Sequence, residues 1–402
     1  MAGTAIICGG SIAGLFTAAA LLRAGWSVDV FERSSVPLAG RGAGIVTHPE
    51  LLAALEAVGA DTSELGVEVF ERVAYDIDGA RVASLDFPQV VTSWDRMFQV
   101  LRALIPDRNY HLGHTATGYD EDERRIVCHF DGASSVEADV LIGADGYRSP
   151  VRAVMQPDIK PDYSGYLVWR ALAHEADVPA EVRSDIFQTF GFFIPTGSEV
   201  IGYPIAGPDN DLRVGHRRYN FVWYRCLSEE MLRDMLVDDN GTQHVMTIAP
   251  PLIRDDVIET LYRDAAEALP RGFNDILRAS ARPFFTPIYD HHCPVMGRGR
   301  LALVGDAACV ARPHVGMGVT KAAEDALALA RCLASAPVAT ATAAYSAERV
   351  PLTKVAYTVA QELGAHVLDA APGGQTDGRT HPHQDEILRE TAVIPAPLRL
   401  AS

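Results

Sequence analysis

The chain has 402 residues, with 35 Lys and Arg against 52 Asp and Glu, a formal charge of −17 and 48% hydrophobic residues. This is the composition of a globular protein with a large core, and it excludes a disordered chain, a repeat array or a collagen-like fibre. Because so acidic a surface repels phosphate groups, it argues against nucleic acid and anionic membranes as partners. A small diffusible ligand is the better expectation.

The six cysteines are scattered and form no Cys-x-x-Cys pair. This usage predicts reduced thiols in a cytoplasmic protein. Although the histidines include the neighbours His291 and His292, none lies in a pattern of zinc ligands, so we expect no metal site.

The first 22 residues carry no charge. They lack a basic start, and Gly9 and Gly10 interrupt the apolar run, which argues against a signal peptide or a membrane span. Hydrophobic periodicity instead predicts a strand at residues 5–8, a helix over residues 12–22 and a second strand at 28–31. This is the βαβ opening of an α/β fold with a Rossmann-type parallel sheet.

Further elements follow in chain order. After a glycine-rich loop at residues 40–44, the patterns predict a helix at 49–58, strands around 67–85 and 126–130, a buried strand at 140–143, alternating aromatic strands at 166–169, 200–203 and 219–224, a strand at 301–306, and helices at 319–335 and 341–368. The aromatic-rich stretch indicates a mostly antiparallel sheet. We therefore predict a discontinuous α/β domain at 1–160 and 291–370, an inserted substrate-binding β-sheet domain at 161–290 and a C-terminal arm at 371–402.

The first motif lies between the first strand and the first helix. Its residues are Gly9, Gly10, Ser11, Ile12, Ala13 and Gly14. Glycines there permit a tight turn and the close approach of a pyrophosphate to the helix N-terminus, whose N–H groups favour negative charge. Glu32, followed by Arg33, ends the second strand, where an acidic side chain can bind a ribose. Strand context and Glu32 together favour a dinucleotide site over an ordinary turn.

Two more motifs complete a pattern. One runs from Asp139 through Asp145-Gly146 to Arg152, and the other runs from Gly305-Asp306 through Pro313 into a helix. With all three in this order, the sequence resembles the group A flavoprotein monooxygenases, the FAD-dependent aromatic hydroxylases with the p-hydroxybenzoate hydroxylase fold. The resemblance covers about residues 4–365 and is strongest to the subgroup of 2,6-dihydroxypyridine 3-hydroxylase.

The resemblance implies a reaction and a set of cofactor contacts. NADH or NADPH would reduce bound FAD, O₂ would add to give a flavin hydroperoxide, and the distal oxygen would attack a small hydroxylated aromatic or N-heteroaromatic ring. Besides the first motif, Glu32 and Arg33, the implied FAD-binding residues are Asp145, Gly305, Asp306, Pro313, Gly316, Met317, Gly318 and Val319. Dipoles around Gly316 to Gly318 would face the negative charge of reduced flavin.

The sequence departs from the family pattern at three places. Cys309 stands where the family often has His, Thr320 where it often has Asn, and Trp94 where it has a flavin-contacting Arg. We therefore expect part of the FAD contact to be rebuilt, with Trp94 as a stacking candidate.

A general base or hydrogen-bond partner is expected near the substrate oxygen, because deprotonation makes the ring more nucleophilic. His48 and His314 are the first candidates for catalysis, with structural roles as the alternative. Tyr203 and Tyr224 are further candidates whose alternative is packing. Arg170 and Arg217 could bind a substrate anion or form salt bridges.

Other functions remain open on the same fold. A flavin-dependent halogenase would carry a W-x-W-x-I-P segment and a catalytic lysine; the segment is absent, and Lys321 is the lysine nearest the motif at 305–318. A flavin oxidase or a redox protein without hydroxylase activity is a further alternative. The sequence leaves the substrate, the nicotinamide preference and a possible homodimer undecided.

Overall fold

The computed structural model describes residues 3–38, 43–371, 373 and 381–399. Most of the predicted glycine-rich loop, Gly40 to Gly42, lies outside these residues. Within the described part, no helix is both long and apolar enough to cross a membrane.

The described residues form strands and helices of the two kinds that the sequence predicts, those of an α/β domain and those of a mostly antiparallel sheet. The strands are β1 (Thr4–Cys8), β2 (Ser27–Glu32), β3 (Gly44–Val46), β4 (Val67–Tyr75), β5 (Arg81–Ser93), β6 (Tyr110–Leu112), β7 (Ala116–Glu121), β8 (Ile126–Phe130), β9 (Val136–Ala138), β10 (Val140–Gly143), β11 (Asp162–His174), β12 (Phe190–Phe193), β13 (Ser198–Ile205), β14 (Arg218–Cys226), β15 (Phe284–His292), β16 (Gly297–Arg298), β17 (Leu301–Leu303) and β18 (Cys309–Val310). The helices are α1 (Ile12–Arg23), α2 (Pro49–Val58), α3 (Trp94–Arg102), α4 (Pro150–Met155), α5 (Ala180–Arg183), α6 (Glu229–Met235), α7 (Asp255–Ala268), α8 (Arg271–Arg278), α9 (Gly318–Ser335), α10 (Val338–Leu363), α11 (Gln384–Glu390) and α12 (Ala396–Arg399).

A six-stranded sheet in the order β16-β17-β10-β1-β2-β6 carries the first motif. Strand β1 pairs in parallel with β2 and β10, and β17 joins β10 in parallel from far along the chain. Ile6 and Ile7 at its centre are 1% and 0% exposed. Strands buried on both faces read as continuous apolar runs, which is why the uncharged opening of the sequence forms the middle of a parallel sheet.

A nine-stranded sheet in the order β18-β15-β11-β14-β13-β12-β4-β5-β3 forms the second layer. Its central pairs are antiparallel, as the alternating sequence predicts, whereas β12 pairs with β4 in parallel. The fold class is therefore confirmed. The sheet also includes β3, β4 and β5, which the sequence analysis assigned to the α/β domain, so the division into domains stays a prediction.

Residues 381–399 pack against the body of the protein. Helix α11 contacts β4 and β5, and α12 contacts α10. Ile387, Leu388 and Ile394 are 5%, 3% and 5% exposed. This part of the predicted arm therefore belongs to the hydrophobic core, although the prolines and glycines around it suggest a loose segment in the sequence.

Candidate active site

Two cavities contain most of the residues that the motifs single out. The first, here called the glycine cleft, has about 220 Å³ and is lined by Gly9, Ser11, Glu32, Arg33, Trp94, Asp145 and their neighbours. The second, the aromatic cavity, has about 260 Å³ and is lined by residues of β3, β11, β13 and β14, by Asp306 and the loop before α9, and by Thr391 and Ala392.

The glycine cleft depends on backbone that only glycine can form. Gly9 has a φ of 109°, and its N–H donates to the Phe31 carbonyl at 2.8 Å. A Cβ on Gly14 would lie 1.9 Å from the Gly9 carbonyl oxygen, well inside contact distance. The turn therefore brings strand and helix together as a dinucleotide motif requires.

The N-terminus of α1 opens this cleft. Ser11 is its N-cap residue, and its side chain makes no capping hydrogen bond. Ile12 and Gly14 are buried, while Ala13 packs under Gly305, where a Cβ would lie 2.6 Å from the Ala13 Cβ. The first N–H groups of α1 therefore have no side-chain cap and are suited to bind an anion.

Glu32 lies at the side of the cleft with only 6% exposure. Its carboxylate accepts hydrogen bonds from the Gly10 N–H at 2.8 Å and the Ser34 N–H at 2.9 Å. These contacts fix the carboxylate while leaving further lone pairs for hydroxyl donors. Arg33 is exposed at the rim, and Trp94 stacks on Phe98 with ring centroids 5.0 Å apart.

Asp145 is one of the residues that line the cleft. Its buried Oδ1 has no hydrogen-bond partner among the described residues, while Oδ2 accepts from the Val151 N–H at 3.3 Å. Burial raises the pKa of this carboxyl. Arg152 of the same motif is buried and donates to the Ala307 carbonyl and towards the His291 Nε2. It therefore joins the second motif to the third.

The third motif forms a turn, Gly305–Ala307, held from behind by buried charges. The Gly305 N–H donates to Asp325 Oδ2 at 3.1 Å, and Arg349 Nε donates to Asp325 Oδ1 at 2.8 Å. Helices α9 and α10 thus set the position of the turn. Asp306, in contrast, is exposed and lines the aromatic cavity.

The loop before α9 forms one wall of the aromatic cavity. Pro313, Gly316, Gly318 and Val319 line it, and Gly316 has a φ of 63°. Met317, the N-cap of the 18-residue helix α9, is 2% exposed and makes no side-chain capping bond. The positive end of the α9 dipole is therefore available to a negative group in the cavity.

Aromatic side chains form the opposite wall. Phe190, Tyr203 and Tyr224 line the cavity, and the two tyrosines are 5% and 3% exposed. Burial raises the pKa of both phenols, and the nearby charge of Arg170 opposes that rise. Both hydroxyls therefore stay protonated near neutral pH and can act as hydrogen-bond donors.

Arg170 also lines the aromatic cavity. Among the described residues, no ion pair or side-chain hydrogen bond of Arg170 is found, in contrast to Arg217, which forms a buried pair with Glu175 at 2.8 Å. Of the two arginines considered from the sequence, Arg170 is therefore the one available to a ligand.

His48 lies behind the cavity wall. Its Nδ1 is 2.9 Å from the Thr320 hydroxyl, and its Nε2 is 3.2 Å from the Ala392 carbonyl. Burial lowers its pKa. It lines a third cavity, the outer pocket of about 740 Å³, which Ala392 also lines.

His314 is 1% exposed and does not line the aromatic cavity either. Its Nε2 is 3.0 Å from the Tyr166 hydroxyl, and its Nδ1 is 2.9 Å from Glu199 Oε2. Burial would raise the pKa of Glu199, but His314 and His366 outweigh it and lower that pKa. His314 therefore belongs to a buried charged cluster beneath Tyr224.

These arrangements define a class of site. A glycine-rich turn and an open helix N-terminus fit a pyrophosphate, Glu32 fits a ribose, and Asp145 in the cleft and exposed Asp306 fit further hydroxyls. The aromatic cavity, with its aromatic wall and a second helix N-terminus, fits a flat, electron-accepting ring. The residues present therefore fit FAD, and the fold and site are those of a flavoprotein.

Comparisons with known proteins agree. A family model described as FAD binding domain-like matches residues 163–290. The chain is 33% identical over 331 residues to 2,6-dihydroxypyridine 3-monooxygenase of Paenarthrobacter nicotinovorans, covering 81% of each chain. It is 28% identical to aurachin C monooxygenase/isomerase of Stigmatella aurantiaca, covering 86% of this chain and 85% of that one.

Solved structures of other proteins have a fold similar to that of this chain. The structure of 2,6-dihydroxypyridine-3-hydroxylase from Arthrobacter nicotinovorans matches with a TM-score of 0.86 and 28% identity, over 93% of this chain and 95% of that one. Klebsiella pneumoniae HpxO, complexed with FAD and uric acid, shares the fold with a TM-score of 0.73 and 21% identity, over 96% of this chain and 93% of that one.

The chain therefore belongs to the family of FAD-dependent aromatic-ring monooxygenases, enzymes that use NAD(P)H and O₂. The family resemblance stated from the sequence is confirmed. Lys321, considered for the halogenase alternative, is buried on α9 with its Nζ 3.9 Å from Asp325 Oδ2 and lines neither the glycine cleft nor the aromatic cavity.

Sequence reasoning missed several residues around the site. Arg72, Glu199 and Thr391 lie within strands or segments without any motif, and each is at most 2% exposed. A buried charge in a strand is the signal that could have singled out Arg72 and Glu199, because such residues need partners.

Proposed function

We propose that the enzyme hydroxylates a small, planar, hydroxylated ring of the hydroxypyridine class in the aromatic cavity. The observation that carries this proposal is Arg170, which has no ion pair or side-chain hydrogen bond within the described part of the chain and lies beside Tyr203 and Tyr224 in a cavity of about 260 Å³ next to the loop before α9. Because the flavin ring would share this cavity along the loop before α9, the space left at Arg170, Tyr203 and Tyr224 favours a single ring over a polycyclic substrate. A relative named for 2,6-dihydroxypyridine supports the same class.

The cofactor contacts follow from the glycine cleft. We propose that Gly9 to Gly14 hold the FAD pyrophosphate, that Glu32 and Arg33 lie at the adenosine ribose, and that Asp145 and Asp306 bind further hydroxyls. Pro313, Gly316, Met317, Gly318 and Val319 would lie along the flavin ring. When bound, FAD supplies the activation of O₂ with electrons from NAD(P)H.

The protein's own contribution is to bind and polarise the substrate. Arg170 stabilises the anionic oxygen of the substrate, so more of the ring is present in its nucleophilic, deprotonated form. Tyr203 and Tyr224 donate hydrogen bonds to the substrate's polar atoms. Since both nitrogens of His48 and His314 face protein atoms, we assign these histidines to holding the cavity wall rather than to taking the substrate proton.

The reaction is tested with purified enzyme. NADH and NADPH oxidation is followed with hydroxypyridines, phenols and no ring added, and the products are separated by mass. We expect one hydroxypyridine to accelerate oxidation and to gain one oxygen atom from labelled O₂. Oxidation that no ring accelerates, or that yields only hydrogen peroxide, would contradict the hydroxylase function in favour of an oxidase.

Two further proposals concern the setting of the enzyme. We propose that it acts in the cytoplasm, which its six free cysteines support. We also propose a homodimer without nucleic acid as a partner; sedimentation of the FAD-loaded enzyme measures the assembly.

A further inference from the structure

The peptide group that joins Ala43 to Gly44 is hydrogen-bonded at both of its ends. Its carbonyl oxygen accepts from the Trp94 N–H at 2.9 Å, and its N–H donates to Asn220 Oδ1 at 2.9 Å. Trp94 lines the glycine cleft, whereas Gly44 lines the aromatic cavity. This peptide therefore joins the start of α3, at the glycine cleft, to the sheet that forms the aromatic cavity.

Asn220 lies on the sheet face that forms the aromatic wall. Side chains alternate along β14, so Asn220 shares its face with Val222 and Tyr224, which both line the aromatic cavity. It is also directly opposite Tyr203 in the pairing of β13 with β14. Asn220 itself is 2% exposed and is not part of the cavity lining. Any influence of Asn220 on a ligand therefore passes through the residues that it contacts.

Gly44 occupies a narrow gap beside Asn220 and Tyr203. A Cβ at position 44 would lie 2.8 Å from Asn220 Cγ, and 2.5 and 2.7 Å from Tyr203 Cε2 and Oη. Only glycine, which has no Cβ, allows the backbone to approach both side chains so closely. The backbone of β3 therefore lies directly against the Tyr203 phenol.

The bond between Gly44 and Asn220 joins two strands that are not neighbours. Four strands, β13, β12, β4 and β5, separate β14 from β3 in the order of the nine-stranded sheet. Strand β3 has three residues and lies at the edge of that sheet, beside β5. The Asn220 side chain thus holds a short edge strand over the face that carries Tyr203.

Asn220 uses one of the two polar atoms of its amide in this contact. Oδ1 accepts from the Gly44 N–H, while Nδ2 is buried without a hydrogen-bond partner among the described residues. A buried donor without a partner is unfavourable, so an apolar side chain of similar size would suit this position at least as well for stability alone. The use of asparagine therefore lies in its acceptor oxygen.

We propose that Asn220 is a positioning residue, which holds Gly44 against Tyr203 and thereby fixes the Tyr203 hydroxyl for the substrate. This inference rests on the proposed function, in which Tyr203 donates a hydrogen bond to the ring. Without the Asn220 oxygen, the Gly44 N–H loses its acceptor and β3 no longer confines the phenol. A phenol that is less confined loses more conformational freedom when the ring binds, so the ring binds more weakly.

The test uses the FAD-loaded enzyme. Asn220→Leu removes the acceptor at similar volume, Asn220→Ala removes it with a smaller side chain, and Asn220→Asp keeps an oxygen as acceptor. We measure KM and kcat for the hydroxypyridine that the wild type hydroxylates, together with the Tm. Loss of one hydrogen bond of about 1 kcal/mol predicts a roughly fivefold rise in KM for Asn220→Leu and Asn220→Ala. The kcat should stay near the wild-type value, because the lost contact serves binding, and Asn220→Asp should recover most of the KM.

Tyr203→Phe tests the route by which Asn220 acts. We expect Asn220→Leu to add no further rise to the KM of Tyr203→Phe, since both changes remove the same contact with the ring. Asn109→Leu is the matched control. Asn109 Nδ2 donates to the Val28 carbonyl at 2.8 Å, and this residue lines neither the glycine cleft nor the aromatic cavity. Its loss should lower the Tm and leave the KM at the wild-type value.

The outcomes separate this inference from the proposed function. If Asn220→Leu and Asn220→Ala hydroxylate the ring with the wild-type KM, the inference alone is overturned, whatever happens to the Tm. A raised KM that Asn220→Asp does not lower also overturns it, because the acceptor oxygen would not be the cause. Additive effects of Asn220→Leu and Tyr203→Phe overturn the route through Tyr203. A wild-type enzyme that binds no ring overturns the proposed function together with this inference.

Discussion

The glycine cleft and the aromatic cavity are constructed in different ways. The glycine cleft is shaped by the turn at Gly9 to Gly14, and it takes Glu32 from the end of β2 and Asp145 from two residues after β10 in the same sheet. The aromatic cavity takes its lining from strands of the antiparallel sheet, from the loop before α9 and from the C-terminal segment, which lie far apart in the chain.

This difference separates recognition of the cofactor from recognition of the substrate. Backbone turns and helix ends recognise groups that every FAD molecule shares, so their geometry allows little variation. Side chains in the adjoining cavity can change without disturbing those turns, and one fold can then accept many substrates. We expect substitutions in the cleft to affect cofactor binding and substitutions in the cavity to affect substrate binding.

The largest effect is expected at the buried ion pair between Arg349 and Asp325, which supports the Gly305 turn. Arg349→Met removes the guanidinium that pairs with Glu324 and, at 2.8 Å, with Asp325, which is 0% exposed and holds the Gly305 turn; only the more distant Lys321, 3.9 Å away, is then left beside Asp325 among the described residues. Breaking a buried ion pair on one side costs about 3–5 kcal/mol. Thermal unfolding followed with FAD present should show a large fall in Tm, and Arg349→Lys should recover part of it. An unchanged Tm would mean that the pair does not support the site.

The aromatic cavity is tested at Arg170. Loss of a charged hydrogen bond of about 1.5–3 kcal/mol predicts a roughly tenfold to hundredfold rise in KM for Arg170→Met. Arg170→Lys keeps the charge, so its KM should lie between those of the wild type and Arg170→Met. FAD content should stay the same in both variants. Loss of FAD at unchanged KM would contradict the prediction that Arg170 contributes to substrate binding and not to cofactor binding.

The glycine cleft is tested at Gly14. A Cβ at 1.9 Å from the Gly9 oxygen forces the turn apart, and overpacking of this kind costs about 1–3 kcal/mol. Gly14→Ala should therefore weaken FAD binding by about tenfold to a hundredfold, as measured by titration of the apoenzyme. Gly118→Ala is the matched control, because, apart from its chain neighbours, no atom of the described residues lies within 4 Å of its Cβ position. KM for the ring, measured at saturating FAD, should hardly change.

The smallest predicted effect is a pH dependence of the free energy of unfolding, which arises from His291 beside Arg152 of the second motif. Burial and the charge of Arg152 lower the pKa of His291 to about 3, below the value of about 6.5 expected in the unfolded chain. The unfolded state therefore binds the proton first. The stability from this group is complete above pH 6.5 and is lost as the pH falls towards 3.

For His291, a fall from pH 6.5 to 5.5 lowers the free energy of unfolding by about 1 kcal/mol. His291→Gln keeps an acceptor for Arg152 but does not titrate. Urea unfolding at the two pH values should show a smaller loss for this variant than for the wild type. Equal losses would assign the acid sensitivity to other groups.

The sequence predicted the cleft better than the cavity for a physical reason. The turn at Gly9 to Gly14 and the helix Pro49–Val58 depend on residues close together in the chain, so local patterns predict them. The aromatic cavity depends on which strand face points inward and on segments that meet only after folding. Alternation on β13 and β14 left Tyr203 and Tyr224 as candidates but could not give their orientation.

His48, His314 and Thr391 show the limit of predicting cavity residues from their distance to a motif in the sequence. His48 and His314 stood beside recognisable motifs, yet neither lines the aromatic cavity, and their ring nitrogens contact protein atoms. Thr391 follows a proline- and glycine-rich stretch that carries no motif, yet this residue is part of the cavity lining. Proximity in sequence to a motif is therefore a weaker guide to a binding residue than tertiary packing.

The long-range pairing of β10 with β17 has a consequence for how the protein is made. Gly143 lies opposite Leu303, so the parallel sheet of the first motif lacks a strand until residues beyond 300 have left the ribosome. Domains usually fold as units while synthesis proceeds from the N-terminus. We therefore expect β10 to remain an apolar sheet edge until β17 is synthesised, and FAD to bind only after the residues up to Val319 have left the ribosome.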